Sequence, residues 1–359
     1  MLQSMREVAY TNAFDNKNGQ FFLAGDIGGT NTSFGIFDVT RADITLLFSF
    51  HFKSHMVHDY TQLCVELMAY IKQVYGITFS TACFGIAGIV SSHRDSARPT
   101  NLSVTVDALS IKKNTGIADV VFMNDFETVG CGIDYIDQKD IVTIHEGEPR
   151  PKAHKACIGA GTGMGKCMLV WHEHIQRYVP YASEGGHAEC TGQTPFDYNL
   201  FAFIRQEKNN TMMVSWEDVL SGRGIQRLYA FLGTTKKYVV TDVTEIIKTE
   251  SFQPDKISLY AQEDPRCYDT MLLYTKLYAR CAKNFALDAL ALNGLYIAGG
   301  IATHNVHLFT STLFFDEFVA GNRLSDVLSK VPLFVIADYN INLYGAVIAL
   351  QLYEQKVIV

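Results

Sequence analysis

Residues 21–31 have the sequence Phe-Phe-Leu-Ala-Gly-Asp-Ile-Gly-Gly-Thr-Asn, and this stretch decides the fold prediction. An apolar run ends at Asp26, a glycine pair follows, and a second apolar run begins at Phe34. The pattern predicts two strands joined by a tight turn, a β-hairpin. Glycines let the backbone approach an anion closely, and an aspartate at a strand end can hold Mg²⁺ directly or through water. The segment predicts a nucleotide-phosphate hairpin, but an ordinary hairpin with a surface aspartate explains it equally well.

A second glycine-rich turn lies near the middle of the chain, where glycines occupy four alternate positions between 159 and 165. Glycine weakens a strand and buries nothing, so packing alone does not explain four of them. The Walker A pattern fails because Cys167, rather than Ser or Thr, follows Lys166. The Rossmann pattern fails because its glycines open a helix, whereas these open a strand. A phosphate loop of another type and a structural turn both remain open.

The rest of the chain alternates predicted strands with predicted helices. Residues 60–74 have helical spacing of apolar side chains, and residues 82–88 form an apolar run typical of a buried strand. After the second glycine turn this order starts again, and the apolar run 294–298 predicts a strand that ends at Gly299-Gly300. We expect two α/β halves, each opening on a glycine hairpin, with a ligand cleft between them.

Composition narrows the function classes. At 359 residues the chain exceeds one ordinary core, which favours two domains, and its net charge of −7 argues against nucleic acid or an anionic membrane as a main partner. The first twenty residues are polar and lack the apolar region of a signal peptide. We therefore expect a cytoplasmic protein with a loose N-terminal extension. The eight scattered cysteines are predicted to be small, reduced core residues.

Asn124 and Asp125 directly follow the apolar run 120–123. A carboxylate at the carboxyl end of a strand is well placed to accept a proton from a hydroxyl group. The alternative is a structural role, because an aspartate that follows a strand often caps the next helix.

A second polar group is formed by residues 183–187, where Glu184 and His187 flank a glycine pair. Both side chains can hydrogen-bond vicinal hydroxyls, but an ordinary turn with solvated charges also fits. His187 and Cys190 do not predict a four-ligand zinc site, because no further cysteine follows until Cys267. The local pattern around Glu217 predicts an ordinary charged residue on a helix.

Seven short motifs occur in one order: Asp26-Ile27-Gly28-Gly29-Thr30-Asn31, Pro99-Thr100-Asn101, Asn124-Asp125-Phe126-Glu127, Gly159-Ala160-Gly161-Thr162-Gly163-Met164-Gly165, Glu184-Gly185-Gly186-His187, Leu220-Ser221-Gly222-Arg223-Gly224 and Gly299-Gly300-Ile301. Together they resemble the bacterial-type glucokinase family, within the superfamily of actin, hexokinase and heat-shock chaperone ATPases. The resemblance spans about residues 21–350. It implies two actin-like (ribonuclease H-like) α/β domains with a ligand cleft between them. The small domain would be 21–135 plus 338–359, the large domain 136–337, and 1–20 a flexible extension.

The resemblance also implies the activity, which is ATP-dependent phosphorylation of D-glucose to glucose 6-phosphate, the entry step of glycolysis. ATP and Mg²⁺ would be the cofactors. Asp125 would be the catalytic base that faces the sugar 6-hydroxyl. The residues implied to contact the sugar are Asn101, Asn124, Asp125, Glu184, His187 and Glu217. The residues implied to contact the nucleotide or its Mg²⁺ are Asp26, acting on the metal directly or through water, with Gly28, Gly29, Thr30, Asn31, Gly161, Thr162, Gly163, Gly299 and Gly300.

Departures from the family pattern leave alternatives open. Residues 102–104 are Leu-Ser-Val where relatives often carry His-Thr-Trp, and the cysteine cluster of the zinc-containing branch is absent after His187. Another hexose or amino-sugar kinase of the same fold is one alternative. A sugar-sensing repressor is another, but twenty polar residues cannot hold a helix-turn-helix, and a silent ATP-binding switch would be expected to lose Asp26 or Asp125. We expect D-glucose and ATP as partners, no nucleic acid or membrane, and a homodimer.

Overall fold

The computed structural model describes residues 2–11, 19–40, 43–100, 102, 104–209, 213–235, 237–249, 254–321 and 323–358. Its chain divides into two compact units. The first unit consists of Met1–Asp137, His172–Ala182 and Tyr339–Val359. The second consists of Gln138–Trp171 and Ser183–Asp338.

The strands that begin the first unit are β1 Arg6–Ala9, β2 Phe21–Ile27, β3 Asn31–Val39, β4 Ile44–Lys53, β5 Thr81–Ile86, β6 Gly88–Val90, β7 Ser96–Pro99, β8 Val106–Asp107 and β9 Asp119–Asn124. Its first helices are α1 Tyr60–Tyr75, α2 Ala108–Thr115 and α3 Asp125–Gly132. The main sheet has the order β1-β4-β3-β2-β5-β9, and β6, β7 and β8 form a small antiparallel sheet. Within the main sheet, β5 lies parallel to both β2 and β9, whereas β3 is antiparallel to β2 and β4.

Aromatic packing and helix caps explain why these segments form the elements they do. Phe34, Phe84 and Phe122 come from three strands of the sheet and are fully buried, with ring centroids 5.5 Å apart for the first two. Helix α1 begins where the Asp59 side chain accepts the Gln62 amide, and it ends at Gly76 with φ +68°. These signals are local, so the sequence specifies them directly.

Part of the N-terminal extension departs from the expectation of a loose segment. Arg6–Ala9 form β1, which pairs antiparallel with β4 at the edge of the main sheet. Glu7 anchors the strand by accepting hydrogen bonds from the Tyr70 and Tyr75 hydroxyls. The extension supplies this strand because β4 would otherwise have an unpaired outer edge.

The remaining strands are β10 Ile141–His145, β11 Lys155–Ala160, β12 Met164–His172, β13 Arg177–Ser183, β14 Leu295–Ala298 and β15 Leu333–Ile336. The remaining helices are α4 Pro195–Glu207, α5 Trp216–Leu220, α6 Gly222–Thr234, α7 Asp242–Thr249, α8 Pro254–Leu259, α9 Pro265–Asp288, α10 Gly300–His304, α11 Val306–Phe309, α12 Thr312–Val319, α13 Ser325–Leu328 and α14 Ile341–Glu354. Short 3-10 helices cover Leu2–Ser4, Ser54–Met56, Ile133–Tyr135, Gln138–Asp140 and Tyr260–Gln262. In the second unit the sheet has the order β10-β15-β14-β11-β12, in which β14 is parallel to β11 and β15.

Helix α14 belongs to the first unit and packs closely against α3. A Cβ at Gly345 would lie 1.7 Å from the Thr128 carbonyl oxygen, and one at Gly132 would lie 2.8 Å from the Ile341 carbonyl oxygen. Only glycine allows the two helix backbones to approach this closely. The contact fixes α3, which carries Asp125, against the last helix of the chain.

Residues 172–182 group with the first unit, whereas the sequence-based boundaries placed them in the large domain 136–337. The reason is hydrophobic, since Val179 is buried in one cluster with Phe22 and Leu343 of the first unit. The domain assignment itself stays a prediction.

Two further expectations concern composition. All eight cysteines are buried with free thiols, as predicted. Across the described ranges, none of the helices combines the length and the apolar character that crossing a bilayer requires. The two units are each built from a mixed sheet and helices, which agrees with the predicted α/β class.

Candidate active site

The first glycine hairpin, residues 26–31, connects β2 to β3. The Gly28 amide donates to the Asn31 carbonyl at 3.0 Å and closes the turn. Ser54 fixes the turn, because its hydroxyl donates to the Gly28 carbonyl at 2.6 Å and its amide donates to the Thr30 carbonyl at 3.0 Å. Both carbonyl oxygens are therefore directed to Ser54, which lowers their repulsion of an anion near the turn amides.

Buried hydroxyls and one lysine support this hairpin. The Thr32 hydroxyl lies 3.0 Å from both the Ser54 hydroxyl and the Tyr60 hydroxyl. At the surface, Lys53 Nζ donates to Asn31 Oδ1 at 2.9 Å. The turn is thus held from inside by neutral groups and carries a positive charge at its exposed side.

Asp26 is the acidic group of the hairpin. The residue keeps a small exposed fraction, but burial of its carboxyl raises its pKa from 3.8 to about 6, and a hydrogen bond from the Asn342 side chain partly offsets this. Among the described residues, Asn342 Oδ1 is buried and has no hydrogen-bond partner. A buried carboxylate beside an orphaned amide oxygen supplies the hard oxygen ligands that Mg²⁺ prefers. The residues at this place therefore fit a divalent cation.

Asp125 follows the same edge of the main sheet as the first glycine hairpin. In register, Ile27 of β2 pairs with Ile86 of β5, and Ile86 pairs with Asn124 of β9. The three strands are parallel, so their carboxyl ends coincide, and Gly28 and Asp125 follow the ends of β2 and β9 with the end of β5 between them. With strands about 4.8 Å apart, these two positions are about 10 Å from each other, which leaves room for a phosphoryl group and its acceptor.

Asn124, not Asp125, caps helix α3. Its side-chain oxygen accepts the Phe126 amide at 2.9 Å, and the Glu127 carboxylate accepts the Asn124 amide at 3.0 Å, which together form a capping box. Asp125 is the first residue of the helix, and its Oδ1 accepts the same Phe126 amide at 3.1 Å. The cap alternative left open by the sequence therefore applies to Asn124, whose oxygen is committed to the helix.

The second glycine hairpin, residues 159–165, connects β11 to β12. Its tip closes through a bond from the Gly161 amide to the Gly163 carbonyl at 2.9 Å. A Cβ at Gly163 would lie 2.8 Å from Glu217 Oε2, the far end of a side chain that can shift, so this contact does not by itself require glycine. A Cβ at Gly161 would meet no heavy atom of the described chain within 4 Å. The protein itself therefore does not require glycine at 161, which fits an approach by a ligand.

Glu217 links the second hairpin to the turn at 184–187. Its Oε2 accepts the Met164 amide at 3.0 Å, and its own amide donates to the Gly186 carbonyl at 2.9 Å. A Cβ at Gly186 would lie 2.0 Å from the Met164 carbonyl oxygen, so the turn also packs directly on the hairpin. Glu217 is therefore more than a surface charge, because it fixes the relative positions of two predicted site segments.

Glu184 and His187 project from the turn next to each other. The His187 amide donates to the Glu184 carbonyl at 2.9 Å, and Nε2 of His187 lies 3.9 Å from Oε2 of Glu184. The Glu184 side chain is 66% exposed and the His187 side chain is 50% exposed. An accessible acceptor beside an imidazole can contact adjacent hydroxyl groups of a ligand.

Gly299-Gly300 lie beside the second hairpin. Ala298 pairs in register with Gly159, and a Cβ at Gly299 would lie 2.7 Å from the Ala160 carbonyl oxygen. Gly299 has φ +91°, which also favours glycine, whereas a Cβ at Gly300 would meet no heavy atom of the described chain within 4 Å. Gly300 is thus the member of the pair that leaves open space.

The predicted site residues form two groups, one in each unit. The first unit holds Asp26, Gly28, Gly29, Thr30, Asn31, Asn124 and Asp125. The second unit holds Gly161, Thr162, Gly163, Glu184, His187, Glu217, Gly299 and Gly300. Asn101 lies outside the described residues.

Sequence reasoning missed three residues of the first group: Lys53, Ser54 and Asn342. All three act through contacts with the first hairpin. No local motif points to any of them. Only their distance in space from Asp26 and the turn identifies them.

Comparisons with known proteins identify the family of this chain. The glucokinase family model matches residues 23–353. A glucokinase of Nostoc punctiforme is 30% identical over 337 residues, which cover 90% of this chain and 97% of the relative. The crystal structure of a glucokinase from an Antarctic psychrotroph matches with a TM-score of 0.75 at 26% identity, covering 92% of this chain and 99% of that chain. The crystal structure of a Balamuthia mandrillaris glucokinase in complex with glucose matches with a TM-score of 0.78 at 22% identity, covering 91% and 92%. These likenesses confirm the predicted actin-like α/β fold, and the chain belongs to the glucokinase family.

Proposed function

We propose that this chain transfers the γ-phosphoryl group of ATP to the 6-hydroxyl of D-glucose, giving glucose 6-phosphate and ADP. One observation carries the mechanism. Asp125 follows β9 at the same sheet edge as the first glycine hairpin, and Asn124, rather than Asp125, is the N-cap residue of α3. A base and a phosphate-binding turn about 10 Å apart have the arrangement that phosphoryl transfer to a hydroxyl needs.

In the proposed reaction, the sugar O6 forms a bond to the γ-phosphorus while the bond from that phosphorus to the ADP oxygen breaks. The proton on O6 passes to the Asp125 carboxylate. Catalysis of this kind depends on in-line positioning and on neutralisation of phosphate charge more than on covalent help. Asp125 orients the hydroxyl and accepts its proton, which is the role of a general base.

Asp26 and the Asn342 amide oxygen would hold Mg²⁺. When bound, Mg²⁺ supplies neutralisation of the charge on the transferred phosphoryl group. The amides of the turn at Gly28, Gly29 and Thr30 would contact phosphate oxygens, and Lys53 adds a positive charge at the exposed side of the turn. In this arrangement Asp125 contacts the sugar hydroxyl and not the metal.

The second unit carries its own set of proposed substrate contacts. The tip Gly161–Gly163 would contact phosphate, and Gly299-Gly300 would lie against the adenosine. Glu184 and His187 would hydrogen-bond sugar hydroxyls from their exposed turn. Glu217 Oε2 accepts a hydrogen bond from the Met164 amide. Its Oε1 would accept a hydrogen bond from a further sugar hydroxyl.

A panel of sugars in a coupled ADP assay tests this function, with ATP and with polyphosphate as donors. We expect turnover with glucose and ATP, and poor turnover of 2-acetamido sugars. Efficient phosphorylation of N-acetylmannosamine or fructose, with little activity on glucose, would show that the substrate is that sugar and not glucose. Asp125→Asn serves as the control that any measured turnover comes from the proposed site.

A further inference from the structure

Arg94 supports the capping box at the start of α3. Its guanidinium donates two bonds to Glu127, from Nη1 to Oε2 at 3.0 Å and from Nη2 to Oε1 at 3.2 Å. Oε2 of Glu127 also accepts the Asn124 amide that closes the box. The pair is largely removed from water, with 14% of the Arg94 side chain and 9% of the Glu127 side chain exposed. A two-pronged ionic contact of this kind fixes geometry as well as charge.

Arg94 is also attached to the strand that precedes Asp125. The Phe122 amide donates to the Arg94 carbonyl at 2.9 Å, and Nη1 donates to Met123 Sδ at 3.0 Å. Its backbone has φ +55°, a conformation that is unfavourable for residues other than glycine and that persists only where surrounding contacts hold it. Arg94 therefore contacts the chain on both sides of the strand-to-helix junction.

We propose that Arg94 is a positioning residue for Asp125, an inference that rests on the base role proposed above. Asp125 lies between Asn124 and Glu127, and the contact that joins those two residues depends on the charge balance that Arg94 supplies. Without Arg94, the buried Glu127 carboxylate loses the cation that pairs with it and moves toward water, because an unpaired buried charge is strongly unfavourable. The capping box then opens, the first turn of α3 frays, and Asp125 loses its alignment.

Helix α4 in the second unit offers a matched control. Arg280 Nη1 donates to Asp197 Oδ2 at 3.0 Å, and that oxygen accepts the Thr194 amide of the α4 capping box at 3.0 Å. The Arg280 and Asp197 side chains are 11% and 3% exposed, close to the values for Arg94 and Glu127. Arg280 differs from Arg94 in that its Nε also donates to Glu317 Oε1 at 2.6 Å. Each arginine supports a capping box, but α4 carries none of the proposed site residues.

The test compares Arg94→Met, Arg280→Met and the double variant Arg94→Met/Glu127→Gln, each assayed well below its melting temperature. Arg94→Met should lower kcat by about 10- to 100-fold, because a displacement of about 1 Å can cost about 100-fold. The KM for glucose should change by a smaller factor than kcat, since Glu184 and His187, two of the implied sugar contacts, are untouched. Arg280→Met should lower the melting temperature but leave kcat within about twofold. Glutamine can still close a capping box, so the double variant should regain at least about fivefold in kcat over Arg94→Met.

Wild-type kcat in folded Arg94→Met, with only a lower melting temperature, would overturn the proposal. So would a double variant that recovers nothing, or an equal loss of kcat in Arg280→Met. Asp125→Asn, measured alongside, separates this proposal from the function on which it rests. If Asp125→Asn keeps wild-type kcat, the base role fails whatever Arg94 does. If Asp125→Asn is inactive and Arg94→Met is unaffected, only the positioning role fails.

Discussion

Replacing Asp26 by asparagine should make the metal-free protein more stable at neutral and alkaline pH. Burial of the carboxyl raises its pKa from 3.8 to about 6, and the hydrogen bond from Asn342 offsets only part of that rise. At about 1.4 kcal/mol per pKa unit, the ionised carboxylate destabilises the native state by about 3 kcal/mol. Asparagine has the same shape and no charge. Because Asp26 keeps a small exposed fraction, we expect a gain of about 2 kcal/mol in the free energy of unfolding.

The gain should grow with pH. Well below pH 3.8 the carboxyl is protonated in both the folded and the unfolded chain, so wild type and Asp26→Asn should be equally stable. As the pH rises through about 6, the wild-type protein loses the stability that its protonated Asp26 supplied, and the variant does not. Above that pH the difference should be constant.

Hydrogen exchange of peptides from β2 and β3, measured by mass spectrometry in EDTA, reports the difference in stability between wild type and Asp26→Asn. These peptides belong to the first unit, which contains Asp26. Tryptophan fluorescence would not report this difference, because Trp171 and Trp216 both lie in the second unit. Asp59→Asn is the control, since the exposed Asp59 only caps α1 and asparagine caps equally well. An Asp26→Asn variant no more stable than wild type at about pH 8, or one whose gain shrinks as pH rises, would refute the argument.

Three further predictions follow from the site and its support. Asp125→Ala should lower kcat by about 10²–10⁴-fold with an unchanged circular dichroism spectrum, and a variant that keeps more than about a tenth of wild-type kcat removes Asp125 from the base role. Glu184→Gln and His187→Ala should raise the KM for glucose more than the KM for ATP, because both side chains are exposed on one turn; equal effects on the two substrates would contradict this. Gly345→Ala should destabilise the protein by more than about 2 kcal/mol in thermal melting, because its Cβ would lie 1.7 Å from the Thr128 carbonyl oxygen, and an unchanged melting temperature would show that α3 and α14 can separate freely.

The sequence predicted the two glycine hairpins because their signals are local. A strand, a glycine turn and a returning strand lie within about ten residues, and both hairpins form where expected. The sequence also contains the signal that identifies the N-cap residue of α3. Asn124 and Glu127 have the spacing of a capping box, a signal that separates the cap from Asp125 when it is applied.

Other parts of the site have no local signal. Asn342 meets Asp26 from the opposite end of the chain, and Arg94 meets Glu127 across 33 residues. Such pairs depend on how β2, β9 and α14 pack, which composition and spacing do not determine. The N-terminal strand is similar, because Arg6–Ala9 have no strong strand pattern and become a strand only through pairing with β4.

The pairing of β1 with β4 bears on how this protein can be handled. A chain shortened to begin at Phe21 would uncover residues 48–51 of β4, the part that β1 pairs with, so that the whole ten-residue strand would form the border of the sheet. A border of that length invites a second molecule to add its own strand there. Trimming the first twenty residues to aid crystallisation would therefore produce oligomers and precipitate at high concentration, while the kinetic constants of the remaining monomer stayed normal.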